Sequence, residues 1–209
     1  MITYGITVCN EYIELNSLLL TLYPYIKRTD EILILIDENN TNNDVTNIIS
    51  NFIRDNPTSS FEQVKVIRES FNSNFADFKN IINFRASNNY IFQIDADEIP
   101  NSLLLSDIHN IIQTGIDLFY VSRENKVEGI TDEYIKRWNW VVDSENRINY
   151  PDYQGRIFSK NTKWVGKVHE QISGYNSYTH LPEYYYLKHD KTIQKQVTQN
   201  QLYESIRYN

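Results

Sequence analysis

The sequence is short of the residues that staple or punctuate a fold. Its 209 residues include 1 cysteine (Cys9), 1 methionine, 5 prolines and 6 glycines. A lone cysteine excludes a disulfide framework, and no Cys/His spacing reads as a structural zinc site. Positive charge is also scarce: 20 Lys and Arg stand against 27 Asp and Glu, for a formal net charge of −7. A nucleic-acid binder carries a basic face, so that class falls away. No apolar run approaches the roughly 18 residues that a membrane span needs. Asn10, Glu11 and Glu14 interrupt the stretch that a signal peptide would require. The expectation is a soluble, cytoplasmic protein with no integral membrane segment and no nucleic-acid partner. With 41% hydrophobic and 22% charged residues, the chain has the makings of a core, and its length suits one domain.

Hydrophobic patterning divides the chain into two halves. Ile2–Val8 is short, β-branched and bounded by polar residues, as a buried strand should be. Leu15, Leu18, Leu19 and Leu22 then recur at helical spacing over Ile13–Tyr25. Glu31–Asp37 is a nearly continuous apolar run, which favours a strand covered on both faces. Beyond an Asn-rich loop, Asp44 is placed to cap a helix carrying Val45, Ile48, Ile49, Phe52 and Ile53, stopped by Asn56-Pro57. Gln63–Arg68 reads as a strand, Phe75–Ser87 as a helix and Tyr90–Ile94 as a further strand. Such alternation predicts an α/β fold with a mainly parallel sheet and helices on both faces. The second half is less regular, with strands expected at Leu118–Ser122, Tyr134–Val142, Gly155–Phe158, Trp164–Val168 and Tyr184–Lys188. A polar helix, Thr192–Tyr208, follows. The simplest organisation is one domain, 1–209, whose 1–100 half and 101–209 half are built differently.

In open parallel sheets, ligands bind outside the carboxyl ends of the strands. Four features fall there: Val8-Cys9-Asn10-Glu11, Asp37, the Phe75–Asn80 approach, and Asp95-Ala96-Asp97. Asp95 and Asp97 are two apart, so on an extended segment both carboxylates face one side. Held close, two carboxylates repel, and a hard cation such as Mg²⁺ or Mn²⁺ relieves the repulsion. Glu98-Ile99-Pro100 lacks the glycine of an EF-hand loop, which excludes that class. Further on, Trp164-Val165-Gly166-Lys167-Val168-His169-Glu170 sets a Glu beside a His in an aromatic setting, the composition of a general base beside a ligand. Leu187-Lys188-His189 adds a second histidine.

Taken in order, these stretches resemble the family-two inverting glycosyltransferases of the GT-A fold, over nearly the whole chain. The matching elements begin with Thr7-Val8-Cys9-Asn10-Glu11. Asp30-Glu31-Ile32 follows, leading to Asp37, Asn40-Thr41 and Asp44-Val45-Thr46. Asn74-Phe75-Ala76-Asp77-Phe78-Lys79-Asn80 comes next, with Lys79 where the family has Arg. The last are Ile94-Asp95-Ala96-Asp97-Glu98, Arg156-Ile157-Phe158, and Gly166-Lys167-Val168-His169-Glu170 before His189. The fold so implied is a Rossmann-like nucleotide-binding half with a mainly parallel sheet, joined to a mixed-strand acceptor half ending in a helix.

The resemblance implies roles. Asp37 would bind the nucleobase, the turn of Val8, Asn10 and Glu11 would line the nucleotide pocket, and Lys79 would lie near the diphosphate. Asp97 would ligate Mn²⁺ or Mg²⁺, Asp95 would contact the ribose or a metal-bound water, and His189 or His169 would complete the metal shell. Glu170 would be the catalytic base. The activity implied is transfer of a hexosyl group from a nucleoside-diphosphate sugar, UDP first with GDP or dTDP as alternatives, to a hydroxyl of a glycan or lipid-linked acceptor. Trp138, Trp140, Tyr153 and Trp164 are candidates to stack on acceptor rings, with His169 beside them. The alternative is a non-catalytic nucleotide- or glycan-binding domain of the same fold. An aspartyl phosphatase places its D-x-D on the first strand, whereas several strands precede it here. A sugar-nucleotide pyrophosphorylase needs a Gly-rich basic loop that Thr7-Val8-Cys9-Asn10 does not supply.

Overall fold

The computed structural model describes residues 1–56 and 64–208. The predicted α/β alternation is present: β1 (Thr3–Val8), α1 (Tyr12–Leu22), β2 (Glu31–Asp37), α2 (Asn43–Asp55), β3 (Val64–Glu69), α3 (Phe75–Arg85) and β4 (Tyr90–Asp95). The predicted strand residue Gln63 and helix stop Pro57 lie outside the described residues. After β4 come β5 (Ile99–Pro100), α4 (Ser102–Gln113), β6 (Leu118–Glu128), α5 (Asp132–Arg137), β7 (Gln154–Ser159), β8 (Lys163–Val165), β9 (Gln171–Ser173), β10 (Tyr178–His180), β11 (Tyr186–Thr192) and α6 (Ile193–Tyr208). Asparagine caps three helices: Asn42, Asn74 and Asn101 each accept a hydrogen bond from the backbone N–H three residues on. The short amide side chain satisfies a donor that the helix cannot. Asn42, rather than the expected Asp44, is therefore the cap of α2.

One sheet runs through both halves in the order β3-β2-β1-β4-β7-β6-β11-β5. The first four strands are parallel, β7 is antiparallel to β4 and β6, and β6 is parallel to β11. Every residue of β2 is buried. Ile32, Ile34 and Ile36 enter a core shared with α1, α2 and α4, while Leu33 and Leu35 enter a second core with Phe78 and Ile82 of α3. The continuous apolar run thus does what its composition implies, filling both faces of a central strand.

Two readings of the second half change. Tyr134–Val142 is not a strand: α5 occupies 132–137, with Asp132 and Glu133 in its first turn and Lys136 and Arg137 in its last. Charges so placed favour a helix through its dipole, and Arg137 pairs with Glu133 one turn away at 2.8 Å. Helix α4, whose Leu104, Leu105, Ile108, Ile111 and Ile112 are buried, is absent from the expectations altogether.

Gly5 sits in β1, where a Cβ would meet Ile82 Cγ2 of α3 at 2.5 Å. Close approach of helix to sheet explains the glycine. Gly5→Ala is expected to destabilise the protein by about 1–3 kcal/mol through overpacking, which a denaturant melt against wild type measures.

Candidate functional site

Strands β1, β2 and β4 end at one edge of the sheet, and their last residues bring Val8, Asp37 and Asp95 together there. Asp95 lies beside Thr7 in the strand register and accepts its hydroxyl hydrogen bond at 2.6 Å. Lys79, buried on α3, reaches Asp95 Oδ1 at 3.1 Å and Glu170 Oε1 at 2.8 Å. Arg156 of β7 reaches Asp95 Oδ2 at 3.1 Å and Glu98 Oε1 at 2.6 Å through the same Nη2. Glu98 is fully buried and is shared with Arg123 at 3.1 Å, which in turn holds Asp152 at 2.7 Å. Asp95 and Glu170 are thus joined by one ammonium group, and Asp95 and Glu98 by one guanidinium.

Helix α3 also fixes the segment that carries Glu170. Asn80 clamps the Trp164 backbone in both directions, accepting from its N–H and donating to its carbonyl, each at 2.9 Å. Asn83 donates to Thr162 O, and Phe75 N–H donates to Lys167 O. Gly166 (φ 100°) and His169 (φ 54°) then turn the chain through left-handed conformations, the first of which glycine adopts without strain.

The charges follow from this packing. Burial would raise the Asp95 carboxyl, but Lys79, Arg156 and the Thr7 hydroxyl outweigh it and hold the group well below the usual carboxylate range. Burial also opposes ionisation of Glu170, and Lys79 again wins, so its pKa is lowered. Burial works against the Lys79 cation too, yet Asp95 and Glu170 raise its pKa.

On the far side of the site Asp97 has different partners. The strand ends at Asp95, the chain turns (Glu98 N–H donates to Asp95 O at 2.8 Å), and the same-side alternation of an extended segment stops there. Asp97 Oδ2 lies 3.5 Å from His189 Nε2, 3.2 Å from Lys195 Nζ and 3.8 Å from Lys191 Nζ. His189 Nδ1 faces Asn125 Oδ1 at 2.7 Å, and the Asn125 amide nitrogen donates to Asp152. That amide orientation makes Nδ1 the protonated nitrogen. Burial lowers the His189 pKa and outweighs the opposing effect of Asp97.

This donor set does not fit the divalent ion expected at Asp95, Asp97 and His189. The Asp95 oxygens are engaged by three donors, and two ammonium groups crowd the one Asp97 oxygen that faces His189. Among the described residues, no group of three His, Cys, Asp or Glu side chains is gathered to hold an ion.

The remaining expected residues are scattered along the same edge. Asp37 accepts from the Asn39 and Phe71 backbone and from the Asn40 amide. Glu11 turns back onto its own loop, accepting from Cys9 N–H and Asn10 N–H. Asn10 is exposed, whereas the Val8 side chain is in the core. Trp164 is not presented to an acceptor. It is 4% exposed, its edge against Phe158 and the Lys79 ammonium 5.0 Å from its ring. Trp138 does lie at the surface side, stacked on Tyr134 and tilted against Trp140. His169 is exposed with its ring edge toward Tyr203. Arg123, Asn125, Asp152, Lys191, Lys195 and Tyr203 were not anticipated, and Glu98 and Arg156 stood in quoted stretches without a role.

No protein-family model matches the chain, and no curated protein matches it in sequence. Solved structures do. Crystal structures of S. aureus TarS align with a TM-score of 0.59 at 14% identity over 90% of this chain and 36% of that one. TarS 1–349 in complex with UDP aligns at 0.59 and 14% identity, over 100% of this chain and 66% of that one. The same protein in complex with UDP-GlcNAc gives 0.58 at 15%, over 91% and 59%. The chain therefore spans roughly a third to two thirds of the structures it resembles. The likeness establishes a GT-A-like fold.

Proposed function

We propose that this chain is a glycosyltransferase that moves a sugar from a nucleoside-diphosphate sugar to a hydroxyl acceptor with inversion. The observation that carries the reading is the ionised Glu170 held by Lys79 against Asp95, at the carboxyl edge of a GT-A-like sheet. A carboxylate in that position takes the acceptor proton. The acceptor oxygen then forms its bond to the anomeric carbon from the face opposite the diphosphate. The bond from that carbon to the diphosphate oxygen breaks, and its electron pair leaves with the nucleoside diphosphate. A single displacement inverts the centre.

Asp95 is assigned to the donor's ribose or sugar, Asp37 to the nucleobase, and the turn from Val8 to Glu11 to the pocket wall, Val8 through its backbone. The aromatic group of Tyr134, Trp138 and Trp140 is assigned to a glycan or lipid-linked acceptor, with His169 at the site's rim. UDP is the first donor nucleotide to test, because the TarS structures of this fold hold UDP and UDP-GlcNAc. The side chains around Asp97, two of them ammonium groups, do not form a set for Mn²⁺ or Mg²⁺.

Melting curves with UDP, GDP, dTDP, CDP and ADP, each with Mn²⁺ and with EDTA, test the reading. A nucleotide at 100 times its dissociation constant should add about 2.7 kcal/mol of stability. The expected result is stabilisation by one of them, with hydrolysis or transfer of the matching nucleotide sugar. Absence of any stabilisation by all five would remove the proposal.

A further inference from the structure

Helix α6 crosses the edge of the sheet at which the site lies. Near its start, Lys195 pairs with Asp97 at 3.2 Å and with Glu14, in the first turn of α1, at 3.3 Å. Further along, the Tyr203 ring packs edge-on against Phe75, the first residue of α3, and against His169, next to Glu170. Lys195 and Tyr203 are eight residues apart, about 12 Å along a helix. Burial, then Asp95 and Glu170, raise the Tyr203 pKa, so the phenol stands close to both carboxylates. The helix therefore runs from the start of α1 to the start of α3 over the end of β4, where open α/β sheets take their ligands.

What the helix covers is what the chemistry needs open. The side chains of Glu170 and Asp97 are 15% and 13% exposed, yet a base must touch the group whose proton it takes. The hold is light. Among the described side chains of α6, Ile206 alone is buried. Apart from the Tyr203 ring, the remaining ties are polar: the two Lys195 ion pairs and the hydrogen bond from Lys191 to Gln199 at 2.6 Å. Partly exposed ion pairs contribute little, and a segment with few buried apolar contacts opens locally well before the fold is lost. Strand β11 passes into α6 without a loop, Thr192 ending one and Ile193 starting the other. Backbone rotation at that junction swings the whole helix.

We infer that α6 occludes the site: docked, it shuts the carboxyl edge of the sheet, and substrate binding and docking of the helix exclude one another. The inference rests on the glycosyltransferase reading and adds a conformational control to it. A ligand that binds only the open form loses affinity in proportion to the fraction closed, and loosening the helix restores it. The test measures hydrogen exchange over 193–208 and calorimetric affinity for UDP, GDP, dTDP, CDP and ADP in wild type, Ile206→Ala and Lys195→Met. Ile206→Ala removes the buried anchor beyond Tyr203, and Lys195→Met removes the ion pairs at the other end. Both variants should exchange faster over α6 and keep wild-type protection in β1, β2 and β4, which shows that they are folded. Both should bind the same nucleotide as wild type, tighter by about threefold or more. That nucleotide at saturation should also speed exchange over α6 in wild type. Equal or weaker binding by variants whose helix exchanges faster would make α6 a fixed wall of the site. Slower exchange with nucleotide would make it a clamp, and unchanged exchange in both variants would mean that it is firmly held. Each of these results overturns the inference while leaving the transferase reading intact. Failure of all three proteins to bind any of the five nucleotides overturns both.

Discussion

Arg156→Met should be the most destabilising single substitution at the site, costing about 3–5 kcal/mol, because it leaves buried carboxylates short of a cation. One Nη2 serves Asp95 at 3.1 Å and Glu98 at 2.6 Å. Glu98 is fully buried and keeps only Arg123 at 3.1 Å and the Asp95 N–H. Burial alone would depress the Arg156 pKa, yet Glu98 and Asp95 hold it above its usual value. The coupling is directional. Glu98→Gln should cost less in the Arg156→Met background than in wild type, since it then removes a charge that has lost a partner. Arg156→Lys should recover much of the loss, because both contacts run through a single nitrogen that an ammonium can replace. Denaturant melts of the five proteins decide it. Equal costs for Glu98→Gln in both backgrounds would mean that the pair contributes nothing beyond its two members.

The first half of the fold was legible because β1, β2 and β4 are apolar runs buried on both faces. Leu33, Leu35 and the three isoleucines of β2 announce a central strand whatever surrounds them. The second half was harder because tertiary contacts decide it. The stretch from Tyr134 to Val142 is aromatic enough to read as a strand, but its excursion stands away from the core, where local charge order and the Arg137–Glu133 pair set the helix. Helix α4 was overlooked although Leu104, Leu105, Ile108, Ile111 and Ile112 repeat at helical spacing, a signal of the same kind as that in α1.

In the site, residues at strand ends were found and their partners were not. Asp95, Asp97 and Glu170 lie in polar clusters that stand out locally. Arg123 and Asn125 of β6 and Arg156 of β7 lie inside strands, and only sheet order brings them beside β4 and β11. The two-apart spacing of Asp95 and Asp97 pointed to a shared ion because it presumed an extended backbone. The turn after β4 separates their partners, Lys79 and Arg156 on one side, Lys195 and His189 on the other. Lys195 lies on a helix whose polar composition reads as a solvated face, and its contact with Asp97 depends on where that helix docks.

Glu170→Gln should lower the rate of glycosyl transfer by 10²–10⁴-fold, the usual worth of a general base, while nucleotide-dependent stabilisation stays as in wild type. Gln has the same shape and its carbonyl still accepts from Lys79, so the clamp from α3 remains and only proton uptake is lost. The 2.8 Å contact to Lys79 makes a second readout available. Burial raises the Glu170 pKa and Lys79 lowers it further than that, to below its usual value. The base therefore stays ionised, and the rate is maintained, into acid solution. Lys79→Met removes the main lowering influence and leaves burial and Asp95 to raise the pKa, so the acid limb of the rate profile should move to higher pH. If Glu170 were only a structural partner of Lys79, both variants would change stability and neither would move the limb. Transfer at wild-type rate in Glu170→Gln would assign the proton to another group.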